Sequence, residues 1–292
     1  MVQVYYAAEL SLPELLSRLR RRDPGTSSTV EASVRSILEE VRTGGDEAVL
    51  ALTERFDGYR PALDEMPLPA AAIAEAYQRV PEAEIEVLRA AAENIRTFHQ
   101  QQVRHSWWYE KGGVRLGLRF QPLHRVGVYA PGGEAIYPST VLMTAIPARV
   151  AGVEEILLCT PARGGRIHPL LLVAADIAGV KKIFPVGGAQ AIAAMAYGTE
   201  RVPAVDKIVG PGNVYVATAK RMVFGQVGID MIAGPSEILV IADDSATPAF
   251  VAADLLSQAE HTGNEFVALL TPSRTLGEAV QAELERQLST LQ

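Results

Sequence analysis

Apolar positions recur with two different periods along this chain, and the change of period divides it. Up to about residue 105 the spacing is helical. Leu10, Pro13 and Leu15-Leu16 open a short helix. Val30, Val34, Ile37, Leu38 and Val41 line one face of a second, which Gly44-Gly45 interrupts. Asp46 caps a continuation that Asp57-Gly58 ends. An alanine-rich stretch over 70–101 predicts a long helix broken at Pro81, because proline lacks an amide hydrogen and crowds the preceding turn.

From Trp107 the period shortens toward two. Lys111-Gly112-Gly113 separates two alternating segments and predicts a hairpin, with Trp107 and Trp108 expected as core or rim contacts. Beyond Arg125, short apolar runs at 126–129, 156–159, 183–186, 207–209 and 238–242 alternate with helical segments at 139–150, 168–177, 189–197 and 214–224. The run over 238–242 has the look of a strand buried on both faces, and Pro147 is expected to kink or shorten its helix. A further strand over 266–270 and a helix over 276–288 follow. This alternation predicts an α/β protein: two Rossmann-like domains with mainly parallel sheets and a helical N-terminal region. The expected division is a discontinuous domain, 1–125 plus 237–292, with 126–236 inserted in it.

The turns that follow the strands are rich in glycine: APGG at 130–133, VGGAQ at 186–190, GPGN at 210–213 and AGPS at 233–236. Open α/β sheets bind ligands beyond the carboxyl ends of their strands, and glycine lets a phosphate approach the backbone. Several such loops together suggest a nucleotide-sized ligand. The G-x-G-x-x-G dinucleotide fingerprint is absent, so spacing does not say which. After the AGPS turn and its strand, a helix begins at Thr247-Pro248 and is expected to end before Gly263. On it Gln258 and His261 are three apart and share a face. An amide oxygen and an imidazole can both hold zinc, although a histidine in a last helical turn also serves as a capping cation.

Composition narrows the field. With 292 residues, 48% of them hydrophobic and 21% charged, the chain has room for about two domains and reads as globular. A formal charge of −7 argues against general nucleic-acid binding. The basic knot Arg18, Arg20, Arg21 and Arg22 reads as a solvated helix end. His99, His105, His124 and His168 are scattered and read as ordinary polar residues. The N-terminus carries Glu9 early and does not resemble a secretory signal, and no apolar run is long enough to span a bilayer. The one cysteine, Cys159, excludes an intramolecular disulfide and suits a reducing, cytoplasmic compartment. At the end of an apolar run it reads as a core residue rather than a nucleophile. That weighs against an aldehyde-oxidising dehydrogenase with a cysteine nucleophile.

The run Ile229-Asp230, Ala233-Gly234-Pro235-Ser236-Glu237, Asp254-Leu255-Leu256-Ser257 and Glu260-His261 resembles the signature of the histidinol dehydrogenases. GVYAPGG, VGGAQAIAA and VDKIVGPGN look like the same family's NAD-side segments. The likeness is close over 125–272 and looser before. It implies NAD-dependent, zinc-assisted oxidation of L-histidinol to L-histidine through the aldehyde, by a homodimer. Carried over by position, Tyr129, Gln190 and Asn213 are implied for NAD, Gln258 and His261 for zinc, and Ser236 with those two for substrate. The NAD site is expected on the inserted domain and the zinc site at the cleft between domains. The family's Glu-His pair, which supplies the base, and its remaining zinc-ligating Asp and His are expected beyond Gln292. No catalytic residue is therefore assigned within the chain. The alternative expectation is an inactive, truncated remnant that only binds nucleotide or a partner.

Overall fold

The computed structural model describes residues 3–6, 9–19, 28–132, 136–162, 164–232, 237–259 and 266–290. A helical lead-in comprises α1 (Leu12–Leu19), α2 (Ser28–Asp57), α3 (Ala70–Arg79) and α4 (Glu82–Gln100). A hairpin follows, β1 (Trp107–Lys111) and β2 (Val114–Leu118). Strand and helix then alternate through β3 (Arg125–Tyr129), α5 (Pro138–Val150), β4 (Glu155–Cys159), α6 (Pro169–Ile177), β5 (Lys182–Phe184), α7 (Gly188–Tyr197), β6 (Lys207–Val209), α8 (Val214–Val223) and β7 (Gly228–Ile229). The last elements are β8 (Ile238–Ile241), α9 (Pro248–Ala259), β9 (Val267–Leu270) and α10 (Arg274–Leu288). The protein is thus α/β with mainly parallel pairing. No helix among the described residues is long and apolar enough to cross a membrane.

The chain forms two compact units, 26–233 and 1–25 with 234–292. In the larger, five parallel strands stand in the order β5-β4-β3-β6-β7. Alternate side chains face opposite layers, and both layers are covered. Val126, Val128, Ile156, Leu158 and Ile183 join the core under α3 to α6. Tyr129, Leu157, Cys159, Phe184 and Ile208 join the core under α2, α7 and α8. Double coverage is why these runs are continuously apolar. Each buried Leu, Ile or Phe contributes about 1.5–3 kcal/mol relative to exposure.

These units fall differently from the expected domains. Helices α2 to α4 belong to the larger unit and pack on the helices that cover its sheet, α2 on α7 and α8, α3 on α6 and α4 on α5. Val34, Ile37, Leu38 and Val41 of α2 share a core with α7, whose Ala189, Ala191, Ala193, Ala194 and Ala196 are small enough for close approach. Gly45, with φ +55, kinks α2 there. Asp46 pins the kink: its carboxylate accepts from the Thr199 hydroxyl and from Arg201 N at 3.3 Å, and its own N–H donates to Glu200 Oε2 at 3.0 Å. The long helix breaks at Pro81 as expected. Helix α5 runs through Pro147 to Val150 rather than stopping there. The carbonyl four residues back belongs to exposed Met143, where water can replace the missing donor.

Two expectations about exposure are corrected. All ten strand residues of the hairpin are exposed, Trp107 and Trp108 included, because its two strands have no third layer on them among the described residues. Register puts Trp107, Tyr109, Val114, Leu116 and Leu118 on one face. Trp108 lies on the other, with the Arg115 guanidinium 4.6 Å from its ring centre. In the smaller unit, β8 and β9 pair in parallel and α9 and α10 cover one face only. Ile238 and Val240 face those helices, while Leu239 and Ile241 point outward and are exposed. An apolar run does not by itself say whether its second face is covered.

Candidate functional site

In the larger unit, β3 leads by α5 to β4 on one side, and the chain later returns to place β6 on the other. Between the carboxyl ends of β3 and β6 the winding reverses. Such a reversal opens a crevice, because the two loops above it leave in opposite directions. Those loops are 130–132 and 210–213.

Gly210 sets the second loop. Its φ is +117, and a β-carbon there would lie 2.0 Å from the Tyr129 carbonyl oxygen. Only glycine fits. Its N–H donates to Asp230 Oδ2 at 2.8 Å, and its carbonyl accepts from Lys220 Nζ at 2.9 Å. Lys220, 2% exposed, also pairs directly with Asp230. Asn213 then caps α8, its Oδ1 accepting from Tyr215 N and Val216 N, each at 3.1 Å. Asn213 is itself exposed.

Tyr129 closes β3. It is buried, and its phenol oxygen accepts from Gly188 N at 3.1 Å. Burial pushes its pKa up to about 12, so the phenol is neutral at any physiological pH. Gly188 begins α7, and Gln190 follows in the first turn, 1% exposed. Among the described residues neither the amide oxygen nor the amide nitrogen of Gln190 has a hydrogen-bond partner. Thr160, just past β4, has a buried Oγ1 in the same condition. A β-carbon on Gly132 would lie 2.9 Å from that oxygen, and one on Gly188 2.5 Å from Gln190 Oε1. Unpaired buried polar atoms cost about 1–3 kcal/mol each, so their gathering at glycine-lined strand ends fits a wall built for a polar ligand.

Tyr129 and Gln190 are therefore brought together through Gly188, and Asn213 stands on the loop pressed against Tyr129. Gln258 lies half-buried in the last turn of α9. Ser236 and His261 lie outside the described residues. Among the described residues no three His, Cys, Asp or Glu side chains group as metal ligands. The donors assigned to zinc are one neutral amide and one imidazole, fewer than the three protein ligands such sites usually take. The described residues by themselves do not complete a zinc site.

Cys159 is 0% exposed, and burial pushes its thiol up to about 12. The core reading holds. A thiol reagent should leave the native protein unlabelled over an hour and modify one equivalent after denaturation. Native labelling at a free-thiol rate would contradict the burial. Sequence reasoning assigned no role to Thr160, Lys220 or Asp230. Asp230 stands in a quoted motif, and a lysine among buried Val216, Ala219 and Val223 was the visible signal for Lys220.

Counted in chain order, the sheet's strands run 3-2-1-4-5, with glycine loops at the reversal, which makes this a doubly wound α/β fold. The family model for histidinol dehydrogenase matches residues 20–292. The chain belongs to that family. It is 51% identical over 280 residues to histidinol dehydrogenase of Listeria monocytogenes serotype 4b (strain F2365), covering 95% of this chain and 65% of that protein. The Geobacter metallireducens (strain ATCC 53774 / DSM 7210 / GS-15) protein of the same name is 52% identical over 272 residues, covering 92% and 62%. The crystal structure of histidinol dehydrogenase from Elizabethkingia anophelis superposes with a TM-score of 0.87 at 39% identity, covering 97% of this chain and 65% of that one. The chain thus spans somewhat less than two thirds of the length of the curated relatives it matches.

Proposed function

We propose that this chain carries the nucleotide side of a NAD-dependent, zinc-assisted oxidation of L-histidinol to L-histidine through the aldehyde, the last step of histidine biosynthesis. The observation that carries the reading is the unpartnered Gln190 amide, sealed at the glycine-lined ends of the central strands. The residues there suit a dinucleotide: Gly210 keeps the backbone bare, and Gln190 offers both an NH2 donor group and a carbonyl acceptor. Tyr129 can donate its neutral O–H while accepting from Gly188 N. Asn213 fixes the first turn of α8, whose positive end favours a phosphate. When bound, NAD supplies the hydride acceptor. Tyr129, Gln190 and Asn213 would hold and orient it.

Ser236, Gln258 and His261 belong to the substrate side of the same reading, Gln258 and His261 as two of the metal's ligands. The reading includes a homodimer working in the cytoplasm.

The test has two arms. NAD+ is titrated calorimetrically into this chain. NADH formation from histidinol and zinc is then followed for this chain and for a version extended with a relative's C-terminal segment. Nucleotide binding by both forms, with turnover by the extended one, is expected. A chain that ignores NAD+ sinks the nucleotide site, and a silent extended form sinks the reaction.

A further inference from the structure

We infer that Lys220 and Asp230 are positioning residues, an ion pair whose work is to hold the 210–213 loop in its ligand-ready shape before nucleotide arrives. The inference rests on the nucleotide reading above and concerns how that site is kept open.

The geometry is unusual in what the pair binds. Most buried ion pairs join side chains of two packed elements. Here both side chains converge on the backbone of one residue. Asp230 Oδ2 accepts from Gly210 N at 2.8 Å, and Lys220 Nζ donates to Gly210 O at 2.9 Å. The remaining Asp230 oxygen accepts from Met231 N at 2.7 Å and meets the Lys220 ammonium. So α8, the end of β7 and the loop after β6 are tied at one point.

That point needs a tie. Gly210 has no side chain to pack, and glycine moves between positive and negative φ at little cost. Its φ of +117 and its contact with the Tyr129 carbonyl are kept only if something outside the loop holds it. Asn213 follows three residues later, so a loop released at Gly210 displaces the cap of α8 and the crevice wall together. A demand for stability alone does not explain the choice, because replacing a buried ion pair by apolar side chains of similar volume is often neutral or stabilising. Holding the loop in advance removes an ordering cost from binding and so raises affinity.

The test uses the whole chain and the variant Lys220→Met/Asp230→Asn, which removes both charges while keeping volume. NAD+ affinity by calorimetry, the melting temperature and hydrogen exchange at the Gly210 amide are read in parallel. Expected is a melting temperature close to wild type, at least tenfold faster exchange at Gly210, and NAD+ affinity reduced at least tenfold. Asp230→Asn alone is the milder second arm and should lose about threefold in affinity, since Lys220 keeps its bond to the Gly210 carbonyl. Wild-type affinity in a folded variant of either kind overturns the inference and leaves the nucleotide site standing. A wild-type chain that does not bind NAD+ overturns both.

Discussion

Replacing Gly210 with alanine should destabilise the larger unit by roughly 3–5 kcal/mol and abolish nucleotide binding. The new β-carbon would sit 2.0 Å from the Tyr129 carbonyl oxygen, on a backbone with φ +117. Neither side can give way cheaply. Tyr129 ends the central strand, paired with β4. Gly210 is gripped at both its polar groups by Lys220 and Asp230. The strain must be taken by parting β3 from β6, which widens the crevice from its floor. Gly225→Ala is the control. Its φ is +101, but nothing lies within 4 Å of the added carbon, so it carries only the conformational penalty, about 1–3 kcal/mol. Urea melts of both variants decide the matter. Equal midpoints for the two would mean that the contact with Tyr129 relaxes freely and that the loop is not braced.

Gln190→Met should act in opposite directions on stability and binding. The wild-type amide is buried with neither end paired among the described residues, at a cost of about 1–3 kcal/mol for each unpaired group. Methionine has nearly the same length and volume and nothing to satisfy. Thermal unfolding should therefore move up by a few degrees, about 2–4 °C for each kcal/mol recovered in a unit of this size. Calorimetric NAD+ affinity should fall at least tenfold, because the only donor and acceptor that Gln190 offered are gone. If the variant melts lower than wild type, the amide is structural and the ligand-facing role is wrong.

Strands and helices were legible where coverage is symmetrical. Runs such as 126–129 and 156–159 are apolar at every position because helices lie on both faces, and the period shows it. Which partner an apolar face meets was not legible. The stripe Val34, Ile37, Leu38 and Val41 announces a buried helix face, but only the alanines of α7, more than 140 residues on, decide where it packs. For the same reason Leu239 and Ile241 were expected inside, and the two tryptophans as core or rim contacts, yet all four stand exposed. In the crevice, the glycine loops were visible as a pattern, whereas Tyr129, Gln190 and Asn213 came from resemblance to a family. Lys220 and Asp230 were invisible as a pair, because their common partner is the backbone of Gly210, which no residue pattern encodes.

The sealed sulfur of β4 has a practical consequence. With its one thiol inert in the native state, the protein is a ready background for reporter chemistry, and no native residue need be deleted first. Met231 is 64% exposed beside the Gly210 clamp. A Met231→Cys variant would accept a single maleimide fluorophore at that spot, placing one reporter beside the 210–213 loop.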